Sequence, residues 1–113
     1  MHSKELLKGT LQTIILKLLS EHGRMYGYEI TQKVKEMTSS EMLLTEGALY
    51  PTLHKLEKKG FVVTEKEKVG GRMRKYYALT PSGATETQSK LEEFDSFIRV
   101  MGMILKPTTK LHA

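Results

Sequence analysis

Apolar residues recur at three- and four-residue steps through Leu7, Leu11, Ile14, Ile15, Leu18 and Leu19, and Gly23 closes the run. That spacing puts one broad apolar stripe on a helix, turned toward a core. A shorter helix is predicted from about Tyr28 to Met37, with Ile30, Val34 and Met37 on one side and Lys33, Lys35 and Glu36 around the rest. The Thr38-Ser39-Ser40 cluster marks its exit. A third helix opens at Thr45, a suitable N-cap, with Glu46 setting a negative charge in the first turn. Leu49, Leu53 and Leu56 form its inner face and Gly60 its end. Pro51 lies inside it, where proline removes one helical hydrogen bond and crowds the preceding turn. Its nearness to the helix start lowers that cost, and a slight bend is expected.

The period then changes. Phe61-Val62-Val63-Thr64 begins one strand and Lys75-Tyr76-Tyr77-Ala78-Leu79 carries a second, both dominated by β-branched and aromatic residues. Gly70-Gly71 marks the hairpin tip between them. Thr80-Pro81, an N-cap followed by proline at the first helical position, opens a last helix that ends at Lys106-Pro107. The order helix, helix, helix, hairpin, long helix predicts a mainly α fold with a small β-hairpin. It reads as a winged helix-turn-helix over residues 1–80, a dimerisation helix over 81–106 and a disordered tail over 107–113.

Composition narrows the function classes. At 113 residues, 39% of them hydrophobic and 27% charged, the chain has the makings of one cored domain. The absence of cysteine excludes disulfide frameworks, thiolate metal sites and cysteine nucleophiles. His2, His22, His54 and His112 fall at no ligand spacing, so neither a metal nor another cofactor is expected. Gly70-Gly71 precedes no helix, which removes a phosphate-binding glycine loop, and no serine, histidine and acid grouping suggests a hydrolase. An enzyme is not expected. The start lacks the apolar stretch of a signal peptide, and no apolar run approaches the ~20 residues that span a bilayer. A soluble, cytoplasmic protein with no membrane partner is the expectation, and the net charge of +5 points to an acidic partner.

The third helix gives that partner a surface. At about 100° per residue, Gly47, Pro51, His54 and Lys58 lie opposite its leucines, with Tyr50 and Lys55 on the flanks. Gly47 and Pro51 carry no long side chain, so backbone can approach base edges, and proline can pack on a thymine methyl. His54 and Lys58 can donate to phosphates or base acceptors, and Tyr50 can hydrogen-bond a phosphate. An ordinary solvated face is the plainer alternative, but such faces carry good helix formers, and glycine and proline each cost helix stability. The hairpin agrees: Lys66, Lys68, Arg72, Arg74 and Lys75 face the single acid Glu67 between residues 66 and 75. Like charge gathered at a tip suits the DNA backbone, although a solubilising, edge-protecting loop would also carry it.

Three blocks follow in order: Gly27-Tyr28-Glu29-Ile30; Gly47-Ala48-Leu49-Tyr50-Pro51-Thr52-Leu53 with Leu56-Glu57-Lys58-Lys59-Gly60; and the stretch from Gly70-Gly71-Arg72 through Tyr76-Tyr77-Ala78-Leu79-Thr80-Pro81-Ser82-Gly83. Together they resemble the PadR family of transcriptional regulators. The resemblance implies a dimeric winged-helix repressor of the smaller subfamily, held together by its last helix and relieved by a small aromatic or cationic ligand. It also implies that Tyr28, Tyr50, Pro51 and His54 meet the operator DNA and that Arg72 and Lys75 belong to the wing.

The last helix bears a stripe of Leu91, Phe94, Ile98, Met101 and Leu105, widened by Phe97, Val100 and Ile104. So much apolar surface at the end of a small domain suits a second copy, a fold-back onto the first helix, or both. Phe94, Phe97, Met101 and Met103 are candidates for lining an effector cavity at a dimer centre, although plain dimer core is the simpler account of them. A winged-helix module that binds protein instead of DNA stays open beside the regulator reading, as does a regulator with no effector.

Overall fold

The computed structural model describes residues 4–107. The expected tail lies outside the described residues from 108 onward, as do His2 and His112. The first apolar run folds as two helices, where one was expected: α1 (Lys4–Lys8) and α2 (Leu11–His22). Thr10 causes the break. Its backbone N–H and its hydroxyl both donate to the Leu7 carbonyl, at 2.9 and 3.1 Å, so the last carbonyls of α1 are capped before α2 begins. Gly23 ends α2 at φ 77 and ψ −155, a conformation a side chain would resist, with its N–H on the Leu19 carbonyl at 3.1 Å.

That turn delivers a strand absent from the sequence reading, β1 (Met25–Tyr26). Helix α3 (Gly27–Met37) follows at once, its start fixed by the Tyr26 N–H donating to Glu29 Oε1 at 3.0 Å. It closes on Thr38, whose hydroxyl donates to the Val34 carbonyl at 2.8 Å and accepts the Met42 N–H at 3.0 Å. Helix α4 (Glu46–Lys58) is capped as expected, with Thr45 Oγ1 accepting the Ala48 N–H at 3.2 Å. It runs unbroken through Pro51. The carbonyl that proline leaves without its helical donor belongs to Gly47, which is exposed and open to water.

The strands β2 (Val62–Val69) and β3 (Arg72–Leu79) are about twice as long as the apolar segments that announced them. Gly70 and Gly71 make the two-residue turn, at φ 58 and 80, the pair of positive angles that matches hairpin twist. The antiparallel sheet runs β1-β3-β2, with Met25 opposite Tyr77, Tyr26 opposite Tyr76 and Val69 opposite Arg72. Helix α5 (Pro81–Leu105) starts on Thr80, whose hydroxyl accepts the Gly83 N–H at 3.0 Å. That same corner is stitched to the end of α4: Thr80 N–H donates to the Phe61 carbonyl at 3.0 Å and Ser82 Oγ to the Gly60 carbonyl at 3.0 Å.

The core collects Leu11, Ile15, Leu16, Leu18 and Leu19 of α2 with Ile30 and Val34 of α3, and Leu49, Leu53 and Leu56 of α4. Met25, Val62 and Tyr77 close it from the sheet. Each large aliphatic side chain buried there stabilises by roughly 1.5–3 kcal/mol, so the three-helix body is firmly held and α4 has a fixed outward face. Helix α5 packs on α2 and β3, and its buried positions, Gly83 and Thr87, lie in its first two turns. Among the described residues no helix is long and apolar enough to cross a membrane.

Candidate nucleic-acid interface

Because Leu49, Leu53 and Leu56 of α4 are fully buried, the opposite side must face out. Gly47, Pro51, His54, Lys55 and Lys58 are all exposed there, and Tyr28 on α3 is 64% exposed. Tyr50 differs from this group. It is half-buried and lies over the start of α3, so close that a Cβ on Gly27 would sit 2.2 Å from its hydroxyl oxygen. Burial, then Glu46 and Tyr77, pushes the Tyr50 hydroxyl up, which keeps it a protonated donor near neutral pH. Tyr50 therefore joins α4 to the start of α3 through the hydroxyl end of its ring, while the residue stays partly exposed.

The pairing register sorts the wing into two faces. Lys66 opposite Lys75 and Lys68 opposite Met73 share the face that, nearer the body, buries Tyr77. Glu65 opposite Tyr76, Glu67 opposite Arg74 and Val69 opposite Arg72 share the other. On this second face Arg24, just ahead of β1, reaches across the sheet to pair with Glu65 at 3.0 Å and with Glu67. Its guanidinium also lies 4.0 Å from the Tyr76 ring centre. The Tyr76 and Tyr26 rings meet edge to face at 5.5 Å, and Arg74 covers Tyr26 at 4.0 Å while its guanidinium reaches the Tyr76 hydroxyl at 3.4 Å. Hydrogen bonds donated to Glu67 and Glu65 hold the Arg24 guanidinium above its usual pKa, and the one donated to the Tyr76 hydroxyl does the same for Arg74.

This clamp changes the electrostatics of the hairpin. Both wing glutamates are engaged by Arg24, and Arg74 is folded onto Tyr26, where it serves the clamp more than the tip. Lys66, Lys68, Arg72 and Lys75 stay exposed, and among the described residues none of them enters an ion pair. The same is true of Lys55 and Lys58 on α4, so two sets of uncompensated cations are carried on two rigid elements. Lys75 Nζ rests 5.5 Å from the Tyr77 ring centre, which steadies its stem.

Sequence reasoning missed Arg24, Tyr26 and Tyr76. The alternation of β2 and β3 carried a signal for Tyr76, but β1 supplies Tyr26 and positions Arg24, and two residues show no period. On α5, Leu91, Phe94 and Met101 are half-buried, while Ile98 and Leu105 are 56% and 68% exposed. Phe97 is 55% exposed and stacks on Phe94 with ring centres 6.5 Å apart. Among the described residues no group of three or more His, Asp or Glu side chains converges to hold a metal ion.

Comparison with known proteins agrees with this arrangement. The profile of the transcriptional regulator PadR-like family matches residues 15–89, which hold α3, α4 and the whole wing. A transcriptional regulator of Mycobacterium tuberculosis is 40% identical over 74 residues, 63% of this chain and 66% of that protein. The solved structure of a transcriptional regulator from Clostridium thermocellum, 32% identical, superposes with a TM-score of 0.84 over 91% of this chain and 100% of its own. A PadR family regulator from Clostridium difficile, 33% identical, gives a TM-score of 0.73 over 86% of this chain and 99% of that one. The helix order, the three-stranded sheet with its long hairpin and the matched profile agree, and this chain belongs to the PadR-like family of transcriptional regulators.

Proposed function

We propose that the chain binds operator DNA as a homodimer, with α4 entering the major groove and the hairpin following the flanking backbone. One observation carries this reading: a helix face of Gly47, Pro51, His54 and Lys58, with no long apolar side chain, shares one rigid body with an unpaired basic wing. Gly47 and Pro51 let the helix backbone approach base edges, His54 donates to a base or phosphate, and Lys55 and Lys58 neutralise phosphates. Tyr28 reaches a neighbouring phosphate from α3. Lys66, Lys68, Arg72 and Lys75 add sequence-independent, salt-sensitive affinity.

The outer part of α5 supports dimerisation. Phe97, Ile98, Met103, Ile104 and Leu105 are each more than half exposed, and Arg99 is the only charge between residues 97 and 105. An apolar surface of that kind is covered by a partner, here the same helix of a second copy, with Leu91, Phe94 and Met101 along its inner edge. The regulator acts as a repressor, and a small aromatic or cationic effector held near Phe94, Phe97 and Met101 relieves it. Such an effector selects a dimer geometry whose recognition helices miss successive major grooves.

Hydroxyl-radical footprinting on the DNA upstream of the protein's own gene tests the reading. Two protected stretches centred about 34 Å apart, one helical turn, are expected. Uniform cleavage at saturating protein would contradict it and favour a winged-helix module that binds another protein.

A further inference from the structure

The wing carries one side chain that phosphate contact does not use. Met73 is 63% exposed, opposite Lys68 across the hairpin and two positions from Lys75 on the same strand face. Lys66, opposite Lys75, completes the surround. That face holds no acid, since Glu65 and Glu67 lie on the other, where Arg24 engages both. Val69, the other apolar residue of the outer hairpin, is half-buried on that second face.

Single apolar residues on a surface are ordinary. Met73 differs because cations surround it, so a duplex that neutralises Lys66, Lys68 and Lys75 must also cover the methionine. Against one phosphate row its side chain would strip water from charge and give no hydrogen bond in exchange. Between two rows it meets a groove floor. The minor groove, about 6 Å wide, sets two phosphate rows around such a floor. The hairpin is long enough to reach one. From Val62, buried in the core, to Lys68 is roughly 20 Å at ~3.4 Å per residue. The minor groove next to the major groove that α4 enters is half a helical turn away, ~17 Å.

We infer that Met73 enters the minor groove flanking the α4 site and selects A·T over G·C pairs there. The inference rests on the operator reading above and adds to it a sequence-reading residue outside α4. Its selectivity follows from the groove's chemistry. An A·T pair presents acceptors alone and leaves the floor open, whereas G·C projects the guanine 2-amino donor into it. A thioether pressed on that amino group displaces its water and accepts only weakly. The unbranched methionine side chain can follow an open floor. Preference then comes from Met73, and salt-sensitive affinity from the lysines around it.

The test is anisotropy titration of the full chain with upstream duplexes that keep both footprinted half-sites and differ only in the flanking pairs under the wing. Those pairs are A·T, G·C or inosine·C, inosine being guanine's counterpart without the 2-amino group. Wild type should bind the A·T and inosine duplexes alike and the G·C duplex about tenfold more weakly, within the range of one mismatched pair. Met73→Ala should bind all three alike, with half-site preference and salt slope unchanged. An inosine duplex bound as weakly as G·C would place the discrimination in the major groove and overturn the inference. Flank discrimination that survives Met73→Ala, or that wild type lacks, would overturn it too. In these cases the half-sites are still bound and the operator reading stands. Loss of half-site preference in Met73→Ala would mean a structural role for the residue and also overturn it. Wild type that binds the half-sites no better than shuffled DNA would overturn both readings.

Discussion

Replacing Gly47 by alanine should strengthen the fold and weaken DNA binding. Gly47 is the second residue of α4, exposed, and an added Cβ would meet nothing closer than Thr45 Oγ1 at 3.9 Å, ordinary van der Waals contact. The fold thus has no steric need for glycine here. Glycine inside a helix costs roughly 0.5–1 kcal/mol relative to alanine, and in a first turn the lower figure applies. Gly47→Ala should therefore raise stability by about 0.5 kcal/mol, a rise in Tm of about 2 °C for a chain of this size. If α4 backbone sits against base edges, the same methyl group intrudes into the contact. A loss of roughly tenfold in operator affinity, about 1.4 kcal/mol, is expected, and Gly47→Leu should lose about 100-fold. Thermal unfolding by circular dichroism and anisotropy titration with operator DNA check the two halves separately. Operator affinity that stays at the wild-type value for both variants would refute the close approach, and a lower Tm for the alanine variant would refute the local packing.

Gly83→Ala should do the reverse, because its Cβ would fall 2.0 Å from the Phe61 carbonyl oxygen, which is backbone and cannot step aside. A loss of about 2–3 kcal/mol by urea unfolding is expected, at the severe end of overpacking. Arg24→Ala should speed hydrogen exchange of the β2 and β3 amides and weaken DNA binding, since Glu65 and Glu67 are then left facing the phosphates; adding Glu65→Gln and Glu67→Gln should recover binding. Lys66→Gln with Lys68→Gln should reduce the slope of log affinity against log salt by about 0.9 for each phosphate that is no longer neutralised, leaving sequence preference intact. Tyr50→Phe should retain the fold because the ring over Gly27 stays, whereas His54→Ala in the same chain should lower operator affinity; an unchanged affinity would remove His54 from the interface.

Much of this architecture was legible in the chain because local chemistry and tertiary demand agree. The caps Thr45 and Thr80 sit where their hydroxyls are used, Gly70-Gly71 takes the two positive φ angles a tight hairpin requires, and the leucines of α4 fix its outer face by subtraction. The failures have physical causes too. Thr10 broke an apolar period that otherwise ran through, because its hydroxyl caps carbonyls and leaves the hydrophobic pattern untouched. The wing's outer halves are charged and lack the apolar alternation of a half-buried strand, so their side chains advertise no strand. The approach of Tyr50 to Gly27, which depends on the missing side chain of a residue on another helix, was likewise out of reach of a helical wheel. The clamp of Arg24 on Glu65 and Glu67 joins residues some forty positions apart, a contact no local reading reaches.

Fluorescence anisotropy with a duplex from the region upstream of the gene, against a shuffled duplex across a salt series, bears most directly on the central claim. Specific binding ~10³-fold or more tighter than to the shuffled duplex, with both weakening steeply as salt rises, is the predicted result. Equal binding to both duplexes, or none at low salt, would contradict the assignment of α4 and the wing to an operator.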